Sequence, residues 1–314
     1  MRSRLLICIC LIIGLLIVVK IFLEIGNTIY KKRIKQMQTN KVYVETTVQH
    51  KLLEQDGYNI SYFVSGNKQN ETILLLHPAF SDHTCFDKQI DFFSKNYHVI
   101  AVDLLGHGLS KTGKSKDKID KSAEHIFQIL QQENIEKTHI TGVSMGSLIA
   151  QYFALQYPNK TLSLAVLGGY NINHANGEIS KSQSKEMFKW VFKIIFSMDS
   201  FRRYTGSVSA LNEEEQMRFY ESAKGFTRKS LVVMSGMDKI VAERENIERT
   251  YPLLILIGDK DIDLAKKAAI QWHEEDTASR FQTIENSGHC ANMDNSEEFN
   301  RMLFEFIDES KNVE

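Results

Sequence analysis

Hydrophobic and polar positions divide the chain into three regimes. Residues Leu5 to Leu23 are an almost unbroken apolar run with one charge at Lys20, and about 20 such residues span the hydrocarbon core of a bilayer as a helix. Residues 31–49 are polar and charged and read as a linker. Two short strand-like runs come next, Val42 to Thr46 at the end of that linker and Tyr58 to Val64, the second closed by the turn signal Ser65-Gly66-Asn67. These predict an antiparallel hairpin at a sheet edge. Continuous apolar runs follow at Thr72 to Leu76, Val99 to Val102, up to Ile140, Leu162 to Leu167, and Leu253 to Ile257. Strands apolar on both faces lie between helix layers. Helical periodicity at Asp120 to Glu133 and Ser147 to Tyr157 alternates with them, which predicts a mostly parallel sheet with right-handed crossovers.

The alternation stops between residues 171 and 250, a charged, helix-prone stretch without buried-strand runs. It then resumes with Leu264 to Glu275, Phe281 to Glu285 and Ser296 to Glu309. The expected organisation is a membrane anchor over residues 1–30, the linker, an α/β core over 50–170 and 251–314, and a helical cap over 171–250 above the carboxyl end of the sheet.

Composition narrows the function classes. Net charge is -1 and no basic block dominates the body, so no nucleic-acid partner is expected. Of four cysteines, Cys8 and Cys10 fall within the apolar run, leaving Cys85 and Cys290, too few for a disulfide framework. The ten histidines show no metal-ligand spacing, and neither a metal nor a cofactor is expected. Arg2 and Arg4 precede the apolar run and allow a signal peptide. The run is long for that and no small-x-small cleavage site follows, which favours an anchor. Basic residues flank both ends, so the side of the membrane stays open.

The strongest chemical signal is Gly142-Val143-Ser144-Met145-Gly146, between a strand-like run and a helical one. Glycines two residues either side of a serine let a strand and a helix pass closely, exposing the hydroxyl on a sharp turn. A serine nucleophile needs a base, a carboxylate to orient that base, and donors for the oxyanion. Two histidines follow the candidate acids: His273 within a helical pattern, and His289 in a loop after the strand Phe281 to Glu285. Loops at strand carboxyl ends carry the sites of open α/β sheets, which favours His289. The strand Leu253 to Ile257 opens into Gly258-Asp259-Lys260-Asp261-Ile262-Asp263. Asp261 is the preferred acid and Asp259 the reserve. The backbone of Met145 is one expected oxyanion donor. The other lies in His77-Pro78-Ala79-Phe80, where Pro78 has no N–H. Either Ala79 or Phe80 donates, and Ala79 is favoured.

With these motifs, the body from about residue 50 resembles the α/β-hydrolase superfamily, in the branch of esterases, monoacylglycerol lipases, enol-lactonases and C–C bond hydrolases. The matching pieces are Leu76-His77-Pro78, Asp103 to Ser110, Gly142 to Gly146, Gly258 to Asp261, and Gly288-His289. The resemblance implies the triad Ser144, Asp261 and His289 with oxyanion donors Met145 and Ala79. Pro78 stands where the family usually has glycine. His107 matches a structural turn. Relatives with an aspartate nucleophile are excluded by Ser144, whereas a cofactor-free haloperoxidase side activity is compatible.

Lys181, Lys185, Lys189 and Lys193 recur at four-residue spacing with Phe188, Val191, Phe192 and Ile195 between them. On a helix this is a lysine stripe beside an apolar face. It reads either as a lipid-touching surface or as a cap helix packed on the core with its lysines in water. The expectation is a membrane-anchored serine hydrolase acting on a small-molecule or lipid ester, with membrane lipid met through the N-terminal helix.

Overall fold

In the computed structural model, the described residues are 47–174, 190, 191, 193, 194, 198–245 and 248–311, with Ile17 apart from them. The proposed anchor, the strand expected at Val42 to Thr46 and most of the lysine stripe lie outside the described residues. Among those described, no helix is long and apolar enough to cross a membrane.

The hairpin forms, with a different first strand. β1 (Gln49–Gln55) pairs antiparallel with β2 (Tyr58–Ser65), Gln55 opposite Tyr58, across the two-residue connection Asp56-Gly57. Gly57 has φ 81°, a conformation glycine adopts without a side-chain penalty. The Asp-Gly pair sets the register, and β1 reaches back into the segment read as linker.

Next come β3 (Thr72–Leu76), α1 (Asp87–Phe93), β4 (His98–Val102), α2 (Ser122–Gln132), β5 (Thr138–Val143), α3 (Met145–Gln156) and β6 (Thr161–Leu167). The described residues between β6 and the next strand include helices α4 (Met198–Ser209), α5 (Glu213–Ser222), α6 (Ser230–Met234) and α7 (Met237–Ile240). The chain closes with β7 (Leu253–Gly258), α8 (Asp263–Glu275), β8 (Arg280–Ile284), α9 (Ala291–Asp294) and α10 (Ser296–Ser310). The eight strands form one sheet in the order β1-β2-β4-β3-β5-β6-β7-β8. It is parallel from β4 to β8 and antiparallel only where β2 meets β1 and β4.

Side chains alternate between the two faces of a strand, and β3 shows the result. Leu74 and Leu76 pack with Ile129 and Ile149 of α2 and α3, while Ile73 and Leu75 pack with Phe93 of α1 and Phe306 of α10. Each of these side chains is buried, and each contributes about 1.5–3 kcal/mol relative to an exposed position. Because β3, β5, β7 and β8 run parallel, their carboxyl ends face the same way. Pairing of Leu76 with Gly142, and of Gly258 with Ile284, sets neighbouring ends level.

Candidate active site

Ser144 stands between β5 and α3 with φ 51° and ψ -116°. A side chain held there strains the backbone by about 1–3 kcal/mol, so neighbours must hold it. Its N–H donates to the carbonyl of Leu167 at 2.8 Å. Its carbonyl accepts from the N–H of Ser147 at 2.9 Å and from the Ser147 hydroxyl at 2.6 Å. The flanking glycines are required by close approach: a methyl on Gly146 would collide with the carbonyls of Leu76 and His77, and one on Gly142 with the carbonyl of Gly146. Gly146→Ala is therefore expected to destabilise the chain by about 1–3 kcal/mol, read from the midpoint of urea unfolding. A loss below about 0.5 kcal/mol would mean that α3 withdraws freely from the end of β3.

The three residues separated most widely in sequence come together. His289 Nε2 lies 2.7 Å from Ser144 Oγ, and His289 Nδ1 lies 2.9 Å from Asp261 Oδ2. An ionised carboxylate can only accept, so Nδ1 carries the proton and donates. In the neutral ring Nε2 is then the acceptor, and the Ser144 hydroxyl donates to it. Asp261 is almost wholly buried, while the His289 side chain keeps 25% exposure, enough to reach an incoming molecule. Burial pulls the imidazole pKa down, but the charge of Asp261 and its hydrogen bond outweigh this, leaving it raised above the ordinary histidine value.

The other candidates have different partners. Asp259 accepts from the N–H of Ser287 at 3.0 Å and pairs with Lys260 at 3.1 Å. It braces the loop that carries His289. Asp263 is exposed and pairs with Lys266. His273, on α8, bonds Ser279 just before β8 begins, at the opposite end of the sheet. His107 is buried against His77 and Phe226, and burial pushes its pKa down to about 3. Cys85 and Cys290 are free, buried thiols.

At the mouth of β3, Leu104 donates its N–H to His77 Nε2 at 3.0 Å, so the Nδ1–H of His77 donates to the carbonyl of Pro78 at 2.8 Å. The neutral ring pins the loop that follows. Ser81 N–H reaches back to the carbonyl of Pro78 at 3.4 Å, closing a turn with Ala79 and Phe80 at its centre. Phe80 has φ 73°. That value at the third position of a turn favours glycine. Trp190, Phe201 and Phe226 surround its ring edge-to-face, each with centroids 5.0 Å away. Three pairs at about 0.5–1.5 kcal/mol each offset the strain. Nothing in the sequence marks Phe80 as strained; only the convergence of the three rings reveals why the conformation persists. Among the described residues, the N–H groups of Met145 and Ala79 have no protein acceptor. Contact of Gly146 with Leu76 and His77 puts the start of α3 beside this loop.

Residues 71–296 match the family described as alpha/beta hydrolase fold. The chain belongs to the alpha/beta hydrolase family. Several of its relatives are named as hydrolases, and another as the acetyltransferase component of an acetoin cleaving system. The chain is 25% identical over 251 residues to (E)-2-((N-methylformamido)methylene)succinate hydrolase of Acinetobacter baylyi, covering 77% of this chain and 91% of that one. It is 22% identical over 279 residues to a monoacylglycerol lipase of Bos taurus, covering 83% and 82%. A thermophilic esterase from Thermogutta terrifontis shares the fold with a TM-score of 0.71 at 16% identity, over 83% of this chain and 99% of that one. For this alpha/beta hydrolase, Ser144 occupies the strand-to-helix turn, and the ends of β7 and β8 supply the acid and the histidine that meet it.

Proposed function

We propose that the chain is a serine hydrolase that cleaves carboxylic esters, lipid-like acyl esters in particular, through an acyl-enzyme on Ser144. The observation that carries this reading is the continuous hydrogen-bond chain from Ser144 Oγ through the His289 ring to Asp261. Ser144 Oγ attacks the ester carbonyl carbon as His289 Nε2 takes its proton, and Asp261 stabilises the imidazolium that results. The N–H groups of Met145 and Ala79 receive the oxyanion. Collapse expels the alcohol, which takes the proton from His289. A water molecule, deprotonated by the same Nε2, then attacks the acyl carbon; the bond to Ser144 Oγ breaks as His289 returns that proton to it, and the carboxylic acid leaves.

Residues 50–170 and 251–314 form the core in this reading and 171–250 a cap, with helices α4 to α7 in its described part. The apolar run Leu5 to Leu23 anchors the chain to a membrane and brings it to lipid esters. The likeness to a monoacylglycerol lipase supports a lipid substrate. A 26% likeness over 267 residues to a 2-hydroxy-6-oxononadienedioate/2-hydroxy-6-oxononatrienedioate hydrolase of Paraburkholderia phymatum supports C–C bond hydrolysis, with lactone hydrolysis beside it, as a second reading on the same triad.

A fluorophosphonate probe is expected to label the chain once, at Ser144, as mapped by peptide mass spectrometry. p-Nitrophenyl esters of increasing acyl length are expected to be turned over faster than lactones or vinylogous diketones. A chain that neither labels nor hydrolyses any ester is a scaffold on this fold, and the proposal is then wrong. Labelling with cleavage of diketones alone selects the second reading.

A further inference from the structure

The strained turn at Phe80 adjoins Ala79, the donor proposed for the oxyanion, and every ring that holds it comes from the segment between β6 and β7. Trp190, Phe201 on α4, and Phe226 each meet the Phe80 ring edge-to-face. Phe80, Phe201 and Phe226 are buried. The enclosure is itself braced: Arg202 of α4 donates to the carbonyls of Ala223, Lys224 and Phe226, tying two walls together. The residue after Phe80 joins the same segment. Ser222 Oγ donates to the carbonyl of Phe219, so in the buried 2.8 Å contact it accepts from Ser81 Oγ.

We infer that Phe80 is a positioning residue: its ring, seated among Trp190, Phe201 and Phe226, holds the adjoining backbone at positive φ and so aims the Ala79 N–H at the oxyanion. The inserted helices thereby act on the transition state without touching substrate there. This rests on the acyl-transfer reading above. An L side chain lacking the ring keeps the backbone strain and loses what opposes it, whereas glycine adopts φ 73° unaided. The two small substitutions therefore separate aiming from simple packing.

The experiment compares Phe80→Ala with Phe80→Gly in the full chain, using p-nitrophenyl ester turnover and the rate of fluorophosphonate labelling. Phe80→Ala is expected to lower kcat about tenfold or more, bounded by the roughly 10²- to 10³-fold loss that follows removal of an oxyanion donor, with KM nearly unchanged. Phe80→Gly is expected to recover most of that kcat although it removes as much packing. Phe201→Leu is expected to lower kcat in the parent chain and to have little effect in the Phe80→Gly background, since coupled sites are non-additive. Thermal unfolding of each variant identifies any that fail to fold. In that case Phe201→Leu alone decides, by a fall in kcat at constant KM. A glycine variant no better than the alanine one, or equal effects of Phe201→Leu in both backgrounds, overturns the role of Phe80 while leaving the triad intact. A parent chain with neither labelling nor turnover overturns the acyl-transfer reading and this inference together.

Discussion

Ser144→Ala is expected to lower p-nitrophenyl ester turnover by roughly 10⁴- to 10⁶-fold, a barrier increase of about 5–8 kcal/mol. Only the hydroxyl is removed, and no other described side chain meets His289 Nε2. The residual rate reflects what the oxyanion donors and substrate binding supply without a nucleophile. Because the substitution keeps a β-carbon at φ 51°, the strain of the turn persists and the unfolding midpoint should move little. Ser144→Gly, equally inactive, should be more stable than the parent by about 1 kcal/mol, since glycine tolerates that backbone. Steady-state kinetics and urea unfolding on the three chains test both statements. Turnover by Ser144→Ala within tenfold of the parent would remove Ser144 from the chemistry.

The second large effect is expected from Asp261→Asn, a loss of roughly 10⁴-fold in kcat at neutral pH. The carboxamide can present its NH2 to His289 Nδ1, which favours the tautomer with the proton on Nε2. That tautomer cannot accept from Ser144. The pH profile gives an independent sign. In the parent chain His289 titrates above the ordinary histidine value, because the charge and hydrogen bond of Asp261 outweigh burial. The active form is the neutral ring, so kcat/KM falls as pH drops through that raised pKa. Without the carboxylate charge only the burial remains, and burial lowers the pKa. The acid limb of the residual activity should therefore move to lower pH. An acid limb that stays in place, or a loss smaller than tenfold, would show that another group orients the histidine.

Much of the sheet can be read directly from residue pattern. β3 is buried at every position and apolar from Ile73 to Leu76, as β4 is from Val99 to Val102 and β7 from Leu253 to Ile257, because helices cover both faces. The polar first residues of β3 and β4, Thr72 and His98, are buried as a hydrogen-bonded pair. The partner of β2 carries little such pattern. Gln49–Gln55 has no β-branched residue, yet it pairs with β2, since the Asp56-Gly57 turn fixes which residues oppose one another. A strand at a half-exposed sheet edge carries little hydrophobic signal, and turn chemistry decides its register.

The candidate site divides in a similar way. The glycines around Ser144 announce a tight strand-to-helix turn because backbone approach excludes any side chain there. The choice among Asp259, Asp261 and Asp263 has no such local mark. Asp259 is turned toward Ser287 and Asp263 toward solvent and Lys266, leaving Asp261 directed at His289. Chain order and strand ends narrowed the histidine to the loop after β8, and the neutral, pinned state of His77 became visible only once Leu104 was seen to donate to it.

Local composition was thus enough for the buried parallel strands, their alternation with helices and the sharp turn at Ser144, since these follow from short-range sterics and from the need to bury apolar side chains on both faces of a parallel sheet. Distances between groups more than a hundred residues apart, the direction each carboxylate takes, and the aromatic enclosure of Phe80 arise from the packing of whole layers. Strand register and helix docking set those positions, and no window of neighbouring residues contains them.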